Sequence, residues 1–281
     1  MPHWKLILAY DGTPYNGWQI QPHLPTIQGT LASAIHRITG ETVLPQGSGR
    51  TDAGVHALAQ VASFALRVPI PGPNLHRALN RALPPSIRAL SVEPVPEDFH
   101  ARHSARRKTY EYRIFAGDRI CFPMLAPWVW PCRVSLDLPT LQRAAAHVLG
   151  THDFSSFAAS DPDLAARTAK HAVIDRDDPP PAPKSSTSPV FADLGDPAQP
   201  SQNTRTIFRS SWSQQDDLLI YKVTGSGFLH HMVRNLVGTF VEVSAGRIAA
   251  NEIPTILSAR DRGAAGPTAP ASGLFLVNVE Y

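Results

Sequence analysis

The apolar and polar positions in the first half of the chain predict strands and helices in alternation. Residues 4–10 form a short apolar run that ends at Asp11 and Gly12, which is typical of a strand followed by a turn. Between Thr26 and Gly40, apolar residues recur at helical spacing. We therefore expect a helix that Thr26 caps at its start and that ends at Gly40.

The segments that follow extend this alternation. A strand leads into a loop at residues 49–56, and another strand covers residues 60–64. Leucines at helical spacing within residues 75–83 predict a second helix, and residues 87–95 predict a further strand. The resulting β-α-β-β-α-β order is the split βαβ arrangement of ferredoxin-like domains.

The second half repeats this order more loosely. It predicts helices at residues 138–149 and 228–245 and strands at residues 108–115, 206–212, 218–223 and 274–281. We therefore predict an α+β chain of two ferredoxin-like or RRM-like α/β domains with mainly antiparallel sheets. The first domain is expected to span residues 1–105 and the second residues 106–281.

Residues 161–203 interrupt the pattern of the second domain. They hold 8 of the 27 prolines and carry 7 acidic residues against 4 basic ones. A stretch of this composition buries too little apolar surface to offset the entropy of ordering it. We predict that residues 161–203 are a disordered insertion in the second domain.

Charge is distributed unevenly along the chain. Residues 1–115 carry 12 Lys and Arg against 7 Asp and Glu, whereas residues 116–281 carry 14 against 16. Of the 26 cationic residues 21 are arginines, whose side chains bind phosphate and stack on bases. This favours a nucleic-acid partner, although a genome rich in arginine codons would give the same bias.

Several other classes of protein are disfavoured. The chain has no apolar run of about 18 residues and no cationic leader with a cleavable apolar stretch, so we expect a cytoplasmic protein without a membrane segment. Its two cysteines are too few for a disulfide framework or a zinc site. The sequence also lacks HExxH, a complete dinucleotide loop and a Walker A sequence, so neither a metal nor a nucleotide cofactor is expected.

The run from Gly49 to His56, GRTDAGVH, is the strongest candidate for chemistry. It places Asp52 between Arg50 and a glycine, on a predicted loop between two strands, where catalytic groups concentrate. Arg50 could keep Asp52 ionised or hold a phosphate. An Asp before Ala-Gly is also an ordinary turn former, so spacing alone leaves a structural interpretation open.

Six short blocks of the sequence belong together. They read YDGTPYNGWQ from residue 10, GRTDAGVHA from residue 49, DFHARHSA from residue 98 with KTYEY from residue 108, HDFSSF from residue 152, FLHHMVRN from residue 228 and GLFLV from residue 273. In these blocks, and in their order, the chain resembles the TruA family of tRNA pseudouridine synthases. The resemblance covers nearly the whole chain.

The resemblance implies an activity and a partner. Members of the family isomerise uridine to pseudouridine at positions 38, 39 and 40 in the anticodon stem-loop of tRNA, and no cofactor is needed. They form homodimers with tRNA lying across both subunits. By resemblance, the two RRM-like domains of this chain meet at a central RNA-binding cleft, and the chain acts on tRNA as a homodimer.

The resemblance also implies roles for four residues. Asp52 is the catalytic residue, either as a nucleophile on the ribose or the base or as a base in an elimination route. Arg234 is the ion-pair partner that keeps it anionic. Tyr110 stacks on the target base, and Arg50 helps to hold the opened strand or its phosphate.

Periodicity alone gives some of these residues a plainer role. Tyr110 and Tyr112 share one face of a predicted strand, where aromatic pairs are ordinary core residues. Most arginines are exposed, so Arg234 could lie on the surface at a helix end. With the resemblance, Tyr112 alone keeps the structural interpretation.

Two other functions remain as alternatives. A non-catalytic tRNA-binding or RNA-folding module would keep the fold and the basic run at residues 102–108, a plausible phosphate track, but would gain nothing from Asp52. A hydrolase would need a second carboxylate near Asp52. The local candidates for that carboxylate are Glu41 and Asp11.

Overall fold

The computed structural model describes residues 1–159 and 201–281. The insertion predicted at residues 161–203 therefore lies almost wholly outside the described residues. The strands are β1 His3–Tyr10, β2 Gln46–Gly47, β3 His56–Ala65, β4 Ile87–Val95, β5 Arg107–Ala116, β6 Trp130–Cys132, β7 Gly150–Asp153, β8 Thr204–Gln215, β9 Leu218–Gly225 and β10 Leu274–Glu280. The helices are α1 Ile27–Thr39, α2 Gly72–Ala82, α3 Leu138–Ala146, α4 Met232–Ser244 and α5 Ile253–Ala259.

The strands form one sheet in the order β4-β1-β3-β10-β5-β9-β8-β7, with β2 added to β3 and β6 added to β5. All pairs are antiparallel except β10 with β3 and β6 with β5. The predicted mixture of helices with a mainly antiparallel sheet is therefore confirmed. The division into two ferredoxin-like domains at residue 105 stays a prediction.

The first strand and helix form as their patterns predict. Residues of β1 alternate between buried and half-buried, so one face of the strand packs into the core. The Thr26 hydroxyl accepts a hydrogen bond from the Gly29 amide at 3.2 Å, which caps the start of α1. Gly40 ends the helix in the left-handed region, at φ 74°, where a side chain would be strained.

Helix α4 begins later than its apolar pattern predicts. The predicted helix at residues 228–245 is wrong at its start, because the observed helix begins at Met232. His231 lies in the left-handed region at φ 59°, which breaks the helical path before that point. The residues just before the helix therefore form a turn. The body of α4 is deeply buried, with Leu236, Val237 and Phe240 fully inaccessible.

Strand β10 joins the two halves of the sheet. It pairs in parallel with β3 and antiparallel with β5, so Leu276 lies opposite both Ala57 and Tyr110. Strand β10 therefore brings the loop before β3 close to the middle of β5. Within residues 1–159 and 201–281, no helix has the length and apolar character needed to cross a bilayer.

Candidate active site

The loop that carries Asp52 packs against the segment at residues 10–19. The Trp18 amide donates to the Thr51 carbonyl oxygen at 2.9 Å. Gly17, at φ 83°, approaches so closely that a Cβ there would lie 2.4 Å from the same oxygen. A Cβ on Gly12 would lie 2.0 Å from the Val55 carbonyl oxygen. Only glycine allows these contacts, so this segment serves to fix the Asp52 loop.

Buried side chains also form hydrogen bonds with the loop that carries Asp52. The Tyr10 hydroxyl is 2.9 Å from the Thr51 hydroxyl, and burial raises the pKa of Tyr10 to about 12. The Gln60 side-chain amide donates to the Gly49 carbonyl oxygen at 2.9 Å. The side-chain oxygen of Gln60, Oε1, accepts a hydrogen bond from the Ser48 hydroxyl at 2.6 Å. A loop with its polar groups satisfied in this way is rigid, which a catalytic group requires.

Asp52 lies among three cationic or imidazole groups. The Arg234 Nη1 donates to Asp52 Oδ2 at 3.1 Å, while the Arg234 Nε donates to the Ala269 carbonyl oxygen at 2.7 Å. His230 Nε2 is 3.4 Å from Asp52 Oδ1, and His231 Nε2 is 3.3 Å from Asp52 Oδ2. The side chains of Asp52 and Arg234 are 21% and 15% exposed. The carboxylate is therefore held in place but can still be reached from solvent.

The two histidines are site residues that sequence reasoning missed. Their rings lie 4.0 Å apart between centroids. Burial lowers the pKa of His231, and the charges of His230, Arg234 and Arg262 lower it further, while Asp52 opposes them. The sequence did contain a signal for them, because both histidines lie in the block FLHHMVRN together with Arg234. A helix predicted from residue 228 gave no reason to place them at Asp52.

Tyr110 lies on β5 beside the same loop. Its side chain is buried, and its ring packs edge-on against Phe228 with centroids 5.0 Å apart. Burial raises the pKa of Tyr110, with Tyr10 and Asp52 adding to the effect, so the phenol stays protonated. Its hydroxyl lies 3.9 Å from where a Cβ on Gly49 would be, so it faces the start of the Asp52 loop.

Tyr112 has the structural role that was expected of it. It is fully buried, and its hydroxyl donates to the Pro270 carbonyl oxygen at 2.7 Å. Its ring also packs edge-on against Trp130. A buried tyrosine whose hydroxyl is satisfied by the backbone stabilises the core.

Cations line the approach to the loop. Lys108 Nζ donates a hydrogen bond to the Ser48 carbonyl oxygen. It also lies close to Gly49, 3.5 Å from the position that a Cβ would occupy there. Burial lowers the pKa of Lys108 to about 8, and the neighbouring charges of Arg102 and Arg205 lower it further. Lys108 forms no ion pair with a carboxylate of the described residues. Arg50 lies exposed on the loop itself.

The acidic residues considered for a hydrolase are engaged elsewhere. Asp11 Oδ1 is 3.2 Å from His56 Nδ1. The Glu41 carboxylate accepts hydrogen bonds from the backbone amides of Arg67 and Val68 at 2.8 to 3.0 Å. Asp52 is instead grouped with His230 and His231, and these three are also the residues that could hold a metal ion.

A carboxylate that is charge-paired, rigidly supported and open to solvent is typical of an enzyme site. Comparison with known proteins specifies the class further. The family model for tRNA pseudouridine synthases matches residues 6–104 and 191–281.

Individual relatives agree with the family model over nearly their whole length. A protein named tRNA pseudouridine synthase A from Solibacter usitatus is 45% identical, over 99% of this chain and 98% of its own. Its namesake from Moorella thermoacetica is 42% identical over 100% of both chains. That from Acetivibrio thermocellus is 41% identical, over 99% of this chain and 98% of its own. The chain belongs to the tRNA pseudouridine synthase family and is an isomerase, which converts uridine to pseudouridine.

Proposed function

We propose that this chain isomerises uridine to pseudouridine at positions 38, 39 and 40 in the anticodon stem-loop of tRNA, with Asp52 as its catalytic residue. The observation that carries the proposal is the carboxylate of Asp52, paired with Arg234 at 3.1 Å and still open to solvent. Glu41 and Asp11 engage other groups, which supports chemistry at a single carboxylate.

The target uridine must leave the base stack of the RNA before it can react. Unpairing and flipping a nucleotide costs a few kcal/mol, which binding must offset. Tyr110 would stack on the flipped base, supported by the edge of Phe228. Arg50 would hold the opened strand or its phosphate, since it lies exposed two residues from Asp52.

Asp52 acts at the glycosidic bond in this proposal. As nucleophile it attacks the ribose or the base, and the bond between C1′ and N1 breaks. The freed uracil turns, C5 joins C1′ and the bond between Asp52 and the substrate breaks, which restores the carboxylate. The proton on C5 leaves and N1 gains a proton. The atoms of the substrate balance without an outside reagent. Arg234 pairs with the carboxylate at 3.1 Å and would orient it before the attack, because a guanidinium stays charged at all physiological pH values.

The binding surface extends beyond the reacting base. Arg102, Arg106 and Arg107 are exposed, and together with Lys108 they form a basic run on the way to β5. We propose that this run follows the phosphate backbone into a cleft between the two domains. We further propose that the enzyme is a cytoplasmic homodimer with tRNA lying across both subunits.

Mapping pseudouridine in tRNA tests the proposal directly. tRNA from cells with and without the gene is compared base by base, and the purified protein is then added to the tRNA that lacks the modification. We expect loss and restoration at positions 38, 39 and 40 together. Restoration at other positions, or at none of these, would overturn the assignment of the anticodon stem-loop.

Tyr110→Phe is expected to lower turnover more than tRNA affinity. The Phe ring keeps the stacking face, which contributes about 1–3 kcal/mol for a base on an aromatic ring. We also propose that the Tyr110 hydroxyl, which this variant lacks, relays the proton that leaves C5. Single-turnover rates and tRNA binding are measured on an anticodon stem-loop. Ala is less informative here, because truncating a buried ring costs about 3–5 kcal/mol of stability.

Tyr112→Phe is the matched control for that experiment. It removes a hydroxyl from the same face of β5, where the partner is the Pro270 carbonyl oxygen. This variant should lose about 1 kcal/mol of stability and keep its single-turnover rate. Wild-type turnover in Tyr110→Phe would show that the phenol takes no part in proton transfer.

Lys108 predicts a pH dependence of tRNA binding. With a pKa of about 8, it is mostly charged at pH 7 and mostly neutral at pH 8.5. If the ammonium contacts phosphate, wild-type affinity should fall by up to about fourfold between these pH values. Lys108→Arg stays charged and should lose less affinity over the same range. Equal losses in both proteins would assign the effect to another group.

A further inference from the structure

Three metal-ligating atoms converge on the catalytic carboxylate. A carboxylate oxygen of Asp52 and a ring nitrogen from each of His230 and His231 all lie within 4.8 Å of one another. His230 approaches one oxygen at 3.4 Å and His231 approaches the other at 3.3 Å. The three residues are partly exposed, so an ion could enter from solvent.

The separations between these nitrogen and oxygen atoms are compatible with a zinc site. Zinc binds histidine nitrogen and carboxylate oxygen at about 2.0–2.1 Å, which puts neighbouring ligands of a tetrahedron about 3.3 Å apart. His230 Nε2 and His231 Nε2 lie at about this separation from Asp52, each from a different oxygen of the carboxylate, and one ligand atom from each of the three residues lies within 4.8 Å of the others. Two imidazoles with one carboxylate are ligands that suit zinc, cobalt and related ions, whereas magnesium and calcium prefer oxygen alone. The same set leaves coordination positions open.

We propose that Asp52, His230 and His231 form a binding site for a zinc-like divalent ion, and that the bound ion reversibly blocks catalysis. The blocking part rests on the proposed role of Asp52. An oxygen that binds the ion is withdrawn from the substrate, and the ion with its water fills the space that the ribose needs. Metal binding and pseudouridine formation therefore exclude each other.

Arg234 limits how tightly the ion binds. Its guanidinium lies 3.1 Å from Asp52 Oδ2 and repels a second cation at that oxygen. The ion therefore exchanges with solvent and is removed by a chelator, so this is a regulatory site and supplies no cofactor.

Titration with Co²⁺ tests the site without measuring activity. Protein without an affinity tag is titrated, and the visible absorption of the bound ion is followed. We expect one equivalent to bind with the intense bands of tetrahedral cobalt. His230→Gln/His231→Gln should weaken that binding at least tenfold, and Asp52→Asn should also weaken it. Melting curves confirm that each variant is folded.

The matched control is another histidine pair in the same chain. The rings of His100 and His103 lie 4.4 Å apart between centroids, and neither residue belongs to the group of potential metal ligands found among the described residues. His100→Gln/His103→Gln should keep the wild-type cobalt titration. The site is refuted if the wild type does not bind cobalt in this manner, or if the His230 and His231 variant binds as tightly as the wild type.

Inhibition is measured separately. Zn²⁺ at concentrations that saturate the site should slow single-turnover pseudouridine formation by the wild type at least tenfold, relative to the same protein without zinc. Addition of EDTA should restore the rate. If cobalt and zinc bind without slowing turnover, the blocking part is wrong. If no tRNA is modified at all while cobalt still binds at these residues, the proposed function fails and the metal site stands.

Discussion

Asp52→Asn is expected to reduce pseudouridine formation at least about a hundredfold, because it removes the charge that acts at the glycosidic bond. The substitution is nearly the same in shape, so the loop held by Trp18 and Gln60 should keep its structure. tRNA affinity should stay within a few fold, since it rests mainly on phosphate contacts spread over the surface. Single-turnover rates and tRNA binding measure the two effects.

A control variant separates this effect from general loss of charge. Asp217 pairs with Arg119 on the exposed surface, outside the six sequence blocks. Asp217→Asn should keep wild-type turnover and affinity. More than about a hundredth of wild-type turnover in Asp52→Asn would disprove the catalytic assignment, given how much a lost nucleophile usually costs. A similar loss in both variants would point to impaired folding instead.

Arg234→Gln is expected to lower turnover by about ten- to a hundredfold, because a partly buried carboxylate loses its strongest partner. Arg234→Lys keeps the charge but cannot form both hydrogen bonds, which run to Asp52 and to the Ala269 carbonyl oxygen. Its turnover should fall between those of Gln and the wild type. Single-turnover rates are compared with melting temperatures to separate chemistry from stability.

The exposed pair again provides the control for the arginine. Arg119→Gln removes a guanidinium that is 66% exposed, where an ion pair contributes little, so turnover and melting temperature should not change. If Lys and Gln at position 234 have equal effects, charge is not the property that matters there. Wild-type turnover in both would remove Arg234 from the mechanism.

Local pattern predicts the elements well, because the information lies in neighbouring residues. The strand predicted from the apolar run at residues 4–10, the cap at Thr26 and the end of α1 at Gly40 each depend on a few adjacent positions, and all three are confirmed. The later start of α4 was not predicted. Its apolar positions continue the helical spacing upstream, and nothing in that spacing reveals that His231 adopts a left-handed conformation.

Contacts between distant residues could not be read from local pattern. The pairing of β10 with both β3 and β5 joins strands far apart in sequence, which periodicity does not specify. The proximity of Arg234 to Asp52 was expected only from the family resemblance. The histidines at Asp52 depend on the turn before α4 and on the whole sheet, so they needed the structure.

The position of β10 also constrains how the protein is made. Ribosomes synthesise the chain in sequence order, so β10 emerges after every other described strand, yet its place in the sheet is between β3 and β5. Until it arrives, the edge of β3 that it covers has no partner, and an open strand edge can pair with other chains. A nascent chain that stalls before residue 274 would have all its proposed catalytic side chains and still lack the strand that aligns them. The cell would therefore gain activity only once β10 has been made, and chains that stall before it would need protection from aggregation.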